Sequence, residues 1–134
     1  MVVDTGVLVS AFIFGGTPER AVKKAFAGAD IYISSDLLKE YREVPLELKA
    51  EGKISHPQLE TLIAGIASFV ANAKLVFSPK RLNLCRDAED NMVLECCLEA
   101  KAGFLITGDK DLLEIKELPF NLKILAPKEF LGHE

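Results

Sequence analysis

Short β-forming runs alternate with helical periodicities along the chain. The runs are MVV at the start, IYIS at 31–34, LVF at 75–77, FLIT at 104–107 and KIL at 123–125. Between the first two, VLVSAFIF (7–14) and PERAVKKAFAG (18–28) predict helices separated by a Gly15-Gly16 turn, the second opened by Pro18 and closed by Gly28. SDLLKEYREV predicts a helix over 36–44 capped by Ser35, which Pro45 should kink or end, leaving 46–51 as a separate short piece. In HPQLETLIAGIASFVANA (56–73), Leu59, Leu62, Ile63, Ile66, Phe69 and Val70 recur on one face of a long amphipathic helix. In DAEDNMVLECCLEAKAG (87–103), Met92, Val93, Cys96, Cys97 and Ala100 point inward, Asn91, Glu95 and Glu99 form a wet stripe, and Gly103 is the stop. KDLLEI (110–115) is a short final helix.

Strands alternating with helices predict an α/β fold, a parallel sheet of about five strands with helices on both faces. Without repeats, linkers or low-complexity segments, the 134 residues read as one domain. Ligands in such sheets bind outside the carboxyl ends of the strands. Asp4 directly follows the first run and Asp109 closely follows the fourth. If those strands are neighbours, both carboxylates sit at one sheet edge.

Composition narrows the chemistry. Nearly half the residues are apolar (49%) and 27% are charged, the balance of an ordinary globular protein. No apolar run reaches the roughly 20 residues of a membrane span, and no signal-peptide layout opens the chain, so a cytoplasmic location is expected. Cys85, Cys96 and Cys97 are odd in number and two are adjacent, which makes no disulfide framework; Cys96 and Cys97 read as small core residues. A net charge of −4 argues against passive nucleic-acid binding through a broad basic footprint. It leaves room for an enzyme whose acids are neutralised by metal ions.

The two histidines, His56 and His133, are poorly placed for a nucleophilic triad or a zinc site. Neither G-x-x-x-x-G-K-[ST] nor G-x-G-x-x-G occurs. What remains is acids and hydroxyls. Asp4 serves as readily as a helix N-cap as a ligand. Glu40 shares a helix face with Asp36 and Glu43, which read as a solvated surface. Asp87 fits an N-cap and Asp90 the third helical position, where acids suit the helix dipole in any protein. Asp109 and Asp111 fit the first turn of the last helix. Two carboxylates about 4 Å apart repel by about 4 kcal/mol at an effective dielectric of about 20, so a cluster must take up protons or a cation. Oxygen ligands without His or Cys favour Mg²⁺ or Mn²⁺.

VVDTGVLVSAF, LLKEYREV, RDAEDNMVLECCLEA and FLITGDKDLL, in this order and at these separations, resemble the PIN-domain family over nearly the whole chain. The likeness is greatest to stand-alone prokaryotic members classed as toxin components of toxin–antitoxin systems. The resemblance implies a three-layer α/β/α sandwich and Mg²⁺- or Mn²⁺-dependent cleavage of single-stranded RNA. The family's acidic quartet falls on Asp4, Glu40, Asp90 and Asp109, with Asp111 at a position that is often acidic. Thr5, Ser10 and Thr107 fall where the family places hydroxyls beside the metal. Two departures stand out: Gly6 replaces the asparagine of the family's DTN, and Pro45 falls where many relatives continue the helix.

The resemblance thus implies an endoribonuclease in which the acids hold one or two ions and Glu40 completes the cluster or orients water. Lys39, Arg42, Lys80, Arg81, Arg86 and Lys110 are candidates to receive the RNA backbone, although for any one of them taken singly solubility is the better reading. An antitoxin and a homodimer are the partners implied. The rival reading is a non-catalytic PIN module that binds RNA or protein without cutting. An aspartyl phosphatase of the haloacid dehalogenase type would need a second acid where Gly6 stands, and a phosphoacceptor domain would need a late lysine in a role that Lys123 and Lys128 fit poorly.

Overall fold

The structure is a computed structural model and describes residues 1–77 and 81–133. In chain order it contains β1 (Val2–Val3), α1 (Thr5–Phe14), α2 (Gly16–Gly28), β2 (Tyr32–Ser34), α3 (Ser35–Ala50), α4 (His56–Ala71), β3 (Lys74–Val76), α5 (Ala88–Ala100), β4 (Phe104–Ile106), α6 (Lys110–Leu113), β5 (Lys123–Leu125) and α7 (Pro127–Leu131). β4 lies between β1 and β5, parallel to both, with Val3 opposite Ile106 and Ile106 opposite Leu125. β2 and β3 form a second parallel ladder. The Tyr32 N–H donates to the Met1 carbonyl at 2.9 Å and joins the ladders in the order β3-β2-β1-β4-β5. The expected α/β class with a parallel sheet is what the chain forms.

Val2, Val3, Leu105 and Ile106 are completely buried, as the central strands of a parallel sheet covered on both faces require. α5 packs across β1, β2 and β3, and α1 packs on α2, α3 and α4. Tyr41 joins these layers: its ring stands edge-on to Phe69 of α4 at 6.3 Å, and its hydroxyl donates to the Val3 carbonyl at the end of β1. That bond fixes α3 against the strand that leads into Asp4.

Several boundaries differ from those expected. α3 continues through Pro45 to Ala50. Proline removes one helical N–H, a cost of about 3 kcal/mol in an exposed helix, but here its ring is buried against the α4 side. Ser34, not Ser35, caps α3, its hydroxyl accepting from the Leu37 N–H at 3.1 Å. α1 begins at Thr5 because Asp4 caps it. Ile63, expected on the buried face of α4, is 48% exposed. α7 was not anticipated; Pro127 opens it and the Glu129 side chain accepts from the Ala126 N–H.

The largest correction concerns α5. Asn91 and Glu95, expected in a wet stripe with Glu99, are 7% and 6% exposed, and only Glu99 faces solvent. The irregular segment 81–87 folds back over this face, and its backbone supplies the polar partners that water would otherwise provide.

Candidate metal centre

The register of the sheet brings the first and fourth strand ends together. The Asp4 N–H donates to the Ile106 carbonyl at 2.9 Å, so Asp4 leaves β1 beside the residues that follow β4. One Asp4 carboxylate oxygen accepts from the Thr5 N–H at 2.9 Å and caps α1, while the other accepts from the Thr107 hydroxyl at 2.6 Å. Thr107 is wholly buried, and its oxygen also accepts from the Asp109 N–H at 3.0 Å. One threonine therefore sets the spacing of two acids 105 positions apart in sequence. Asp109 in turn caps α6 by accepting from the Asp111 N–H at 2.9 Å.

Glu40 comes from α3, held in place by the neighbouring Tyr41 and by a short hydrogen bond from the Thr5 hydroxyl to its carboxylate. Asp90 comes from the first turn of α5 and is 7% exposed. Asp4, Glu40, Asp90 and Asp109 line one cavity of about 490 Å³, together with Thr5, Ser10, Gly6, Gly108, Val44 and Val93. Asp87 and Glu89 also line it. The sequence marked Asp87 only as a cap and gave no signal for Glu89, because acids in a first helical turn are common whatever lies beside them. Asp111 lies outside that lining, yet one carboxylate oxygen each from Asp90, Asp109 and Asp111 fall within 4.8 Å of one another.

No lysine or arginine lines this cavity among the described residues. The electrostatic consequence appears in the acids themselves. Burial pushes Asp4 above the usual carboxylate range, against the hydrogen bonds from Thr107 and Thr5, and the Asp109 charge adds to the rise. Burial likewise raises Glu40, opposed by Thr5 and reinforced by the charges of Asp4, Glu89 and Asp87. Burial, then a carboxyl–carboxylate hydrogen bond with Asp109 and its charge, pushes Asp90 up to about 7. In the ion-free protein, burial and mutual repulsion favour the protonated forms of Asp4, Glu40 and Asp90. A hard divalent cation would relieve that repulsion without protons, and a donor set made wholly of carboxylates and hydroxyls fits such an ion. The cysteines take no part: burial raises Cys96 to about 11 and Cys97 well above its ordinary value, so both stay neutral core residues.

The basic candidates are scattered. Lys39 and Arg81 line an adjoining groove of about 440 Å³ that shares Glu40, Val44 and Glu89 with the acid cavity. Arg42 instead lines an apolar groove of about 420 Å³ between α3 and α4. Arg86 is exposed on the 81–87 segment, Lys110 is exposed 4.0 Å from Glu114, and Lys80 lies outside the described residues.

Carboxylates converging at the carboxyl ends of parallel strands, with no His or Cys among them, define an α/β protein with an acidic, cation-seeking centre. Residues 1–111 match the family described as PIN domain, and the chain belongs to that family. It is 32% identical to the uncharacterized protein MJ1680 of Methanocaldococcus jannaschii over 141 aligned positions, covering 98% of this chain and 88% of that protein. A chain of the crystal structure of VapBC2 from Rickettsia felis bound to a DNA fragment from their promoter superposes with a TM-score of 0.62 at 15% identity, covering 93% of this chain and 96% of that one.

Proposed function

We propose that the chain is a single-domain Mg²⁺- or Mn²⁺-dependent endoribonuclease that cleaves single-stranded RNA, and that it is the toxin of a toxin–antitoxin pair. The observation that carries this reading is the meeting of Asp4, Glu40, Asp90 and Asp109 in one cavity that no described lysine or arginine lines. Asp4, Asp90 and Asp109 would hold the ion, with Asp111 at the margin. When bound, the ion would lower the pKa of a water and stabilise charge on the scissile phosphate.

The chain's own residues do the rest. Thr107 holds Asp4 and the start of the Asp109 segment in fixed relation, so neither carboxylate has to be ordered when substrate arrives. Thr5 restrains Glu40, which is raised and thus suited to exchange a proton with an attacking water. Ser10 lines the same cavity and is available as a hydrogen-bond partner. PIN-family membership supports the nuclease reading, and the likeness to a VapBC2 chain supports a protein partner. We place the protein in the cytoplasm as a homodimer built on the α3–α4 groove, where Leu46 is 57% exposed. Ile63→Asp in that groove should shift sedimentation from dimer to monomer, and an unshifted profile rejects that interface. No helix among the described residues is long and apolar enough to cross a membrane.

The test is cleavage of a mixed pool of single-stranded RNA in Mn²⁺, Mg²⁺ or EDTA by the natural protein and Asp4→Asn. Ion-dependent cutting that falls at least about 100-fold in the variant is the expected result. Cutting that survives both EDTA and the substitution rejects the assignment. Ion binding without cleavage of any RNA favours the non-catalytic module.

A further inference from the structure

Segment 81–87 leads into α5 without regular secondary structure, yet several of its backbone polar groups are taken up by two side chains of α5. The Asn91 side-chain oxygen accepts from the Leu84 and Cys85 N–H groups at 2.9 Å each, and its amide donates to the Cys85 carbonyl at 3.0 Å. One turn later, a Glu95 oxygen accepts from the Leu82 N–H at 2.8 Å and the other lies 3.3 Å from the Arg81 guanidinium. Arg81 also reaches Asp36 of α3 at 3.8 Å. Residues 91 and 95 lie on one face of α5, and Asp90 of the acid cavity immediately precedes them.

The segment borders both hollows. Its first residue, Arg81, lines the groove that shares Glu40 and Glu89 with the acid cavity, and its last, Asp87, lines the cavity itself. A buried carboxylate and a buried amide are costly unless satisfied, and here both are spent on fixing a short irregular stretch. A helix does not need such contacts to form. A cation that must stand at a set distance from a reacting phosphate does.

We infer that Asn91 and Glu95 are positioning residues that clamp segment 81–87, so that Arg81 is presented beside the acid cavity to receive the RNA backbone. This rests on the ribonuclease reading. The clamp would act on substrate binding rather than on the ion site, where Asp4 and Asp109 are held through Thr107 and Asp90 is carried by α5 itself, none of them through segment 81–87.

The test compares Asn91→Ala, Glu95→Ala and Glu95→Gln with the natural protein by amide hydrogen exchange, Mn²⁺ titration and steady-state cleavage. In Asn91→Ala the Leu84 and Cys85 amides should exchange at least about tenfold faster, KM for RNA should rise about tenfold, and kcat and Mn²⁺ affinity should stay within about twofold. Glu95→Ala should expose the Leu82 amide and raise KM, whereas Glu95→Gln, which keeps an acceptor, should retain that protection. If Asn91→Ala does not fold, the two Glu95 variants decide the matter. Unchanged protection overturns the clamp. Faster exchange with unchanged KM, or a loss confined to kcat, overturns the role in RNA binding. If the natural protein cuts no RNA, the nuclease reading falls and takes the RNA role with it, while exchange still decides whether Asn91 and Glu95 hold the segment.

Discussion

Thr107 shows how much one buried side chain can organise. Donating to Asp4 and accepting from the Asp109 backbone, it turns a repulsive pair of acids into a spaced one. The repulsion that remains has a measurable sign. Asp90 stands at about 7 against an ordinary 3.8, and Asp4 and Glu40 are raised in the same direction. Raised acids mean that the ion-free folded state binds more protons than the unfolded chain above pH 3.8 and up to about 7. Their contribution is therefore fully present below the lower value and lost as pH rises through the upper one. The thermal midpoint of the ion-free protein should therefore fall as pH rises from about 4 to about 7. Asp90→Asn should flatten that fall, and Mn²⁺ should raise the midpoint more at the alkaline end. A midpoint that climbs over the same range contradicts the assignment. Asp4 and Asp109 were legible only as a pair: each alone reads as a helix cap, which each also is, but the ends of two neighbouring strands bring them together. Asn91 and Glu95 were not, since a polar stripe on a helix looks the same whether it meets water or a neighbouring backbone.

Among the elements, the α1–α4 contact is the tightest constraint that glycine imposes. A Cβ on Gly65 would lie 2.5–2.8 Å from three ring carbons of Phe12, so the helices can approach this closely only without a side chain there. Gly65→Ala should cost about 1–3 kcal/mol by displacing that ring. Denaturant unfolding would measure it, and Phe12→Leu in the same background should recover part of the loss. A neutral Gly65→Ala would show that the ring swings aside freely. The alternation of strands and helices was readable because each run kept its own period. Pro45 misled because its usual effect on a helix is judged for an exposed site, whereas burial against α4 holds the helix together through it. Gly6, by contrast, has nothing within 4 Å of where a Cβ would stand, so the departure from the family's asparagine leaves room, not strain.

For the whole molecule, charge is the governing quantity. The chain carries −4 overall, and among the described residues the basic side chains near the acid cavity are few. On the ribonuclease reading, RNA affinity should therefore fall with salt along a shallow line, a log–log slope of about −1.4 to −2.1 for two or three phosphate contacts on a single strand. A flat response would remove Arg81 and its neighbours from the binding surface, and a much steeper one would require a basic surface not yet identified. The fold's overall connectivity was predictable, but which cations face the acids was not, because that depends on how an irregular segment is laid down. The site itself is assembled from Asp4, Glu40, Asp90 and Asp109, which span most of the chain. During synthesis the first of these emerges long before the last, and Thr107 cannot bridge them until β4 has paired beside β1. On the ribonuclease reading, a nascent chain is thus harmless to the message it is being translated from until nearly all of it has left the ribosome. On the same reading, a product truncated before residue 109 lacks the last acid of the site and should be inert from the start.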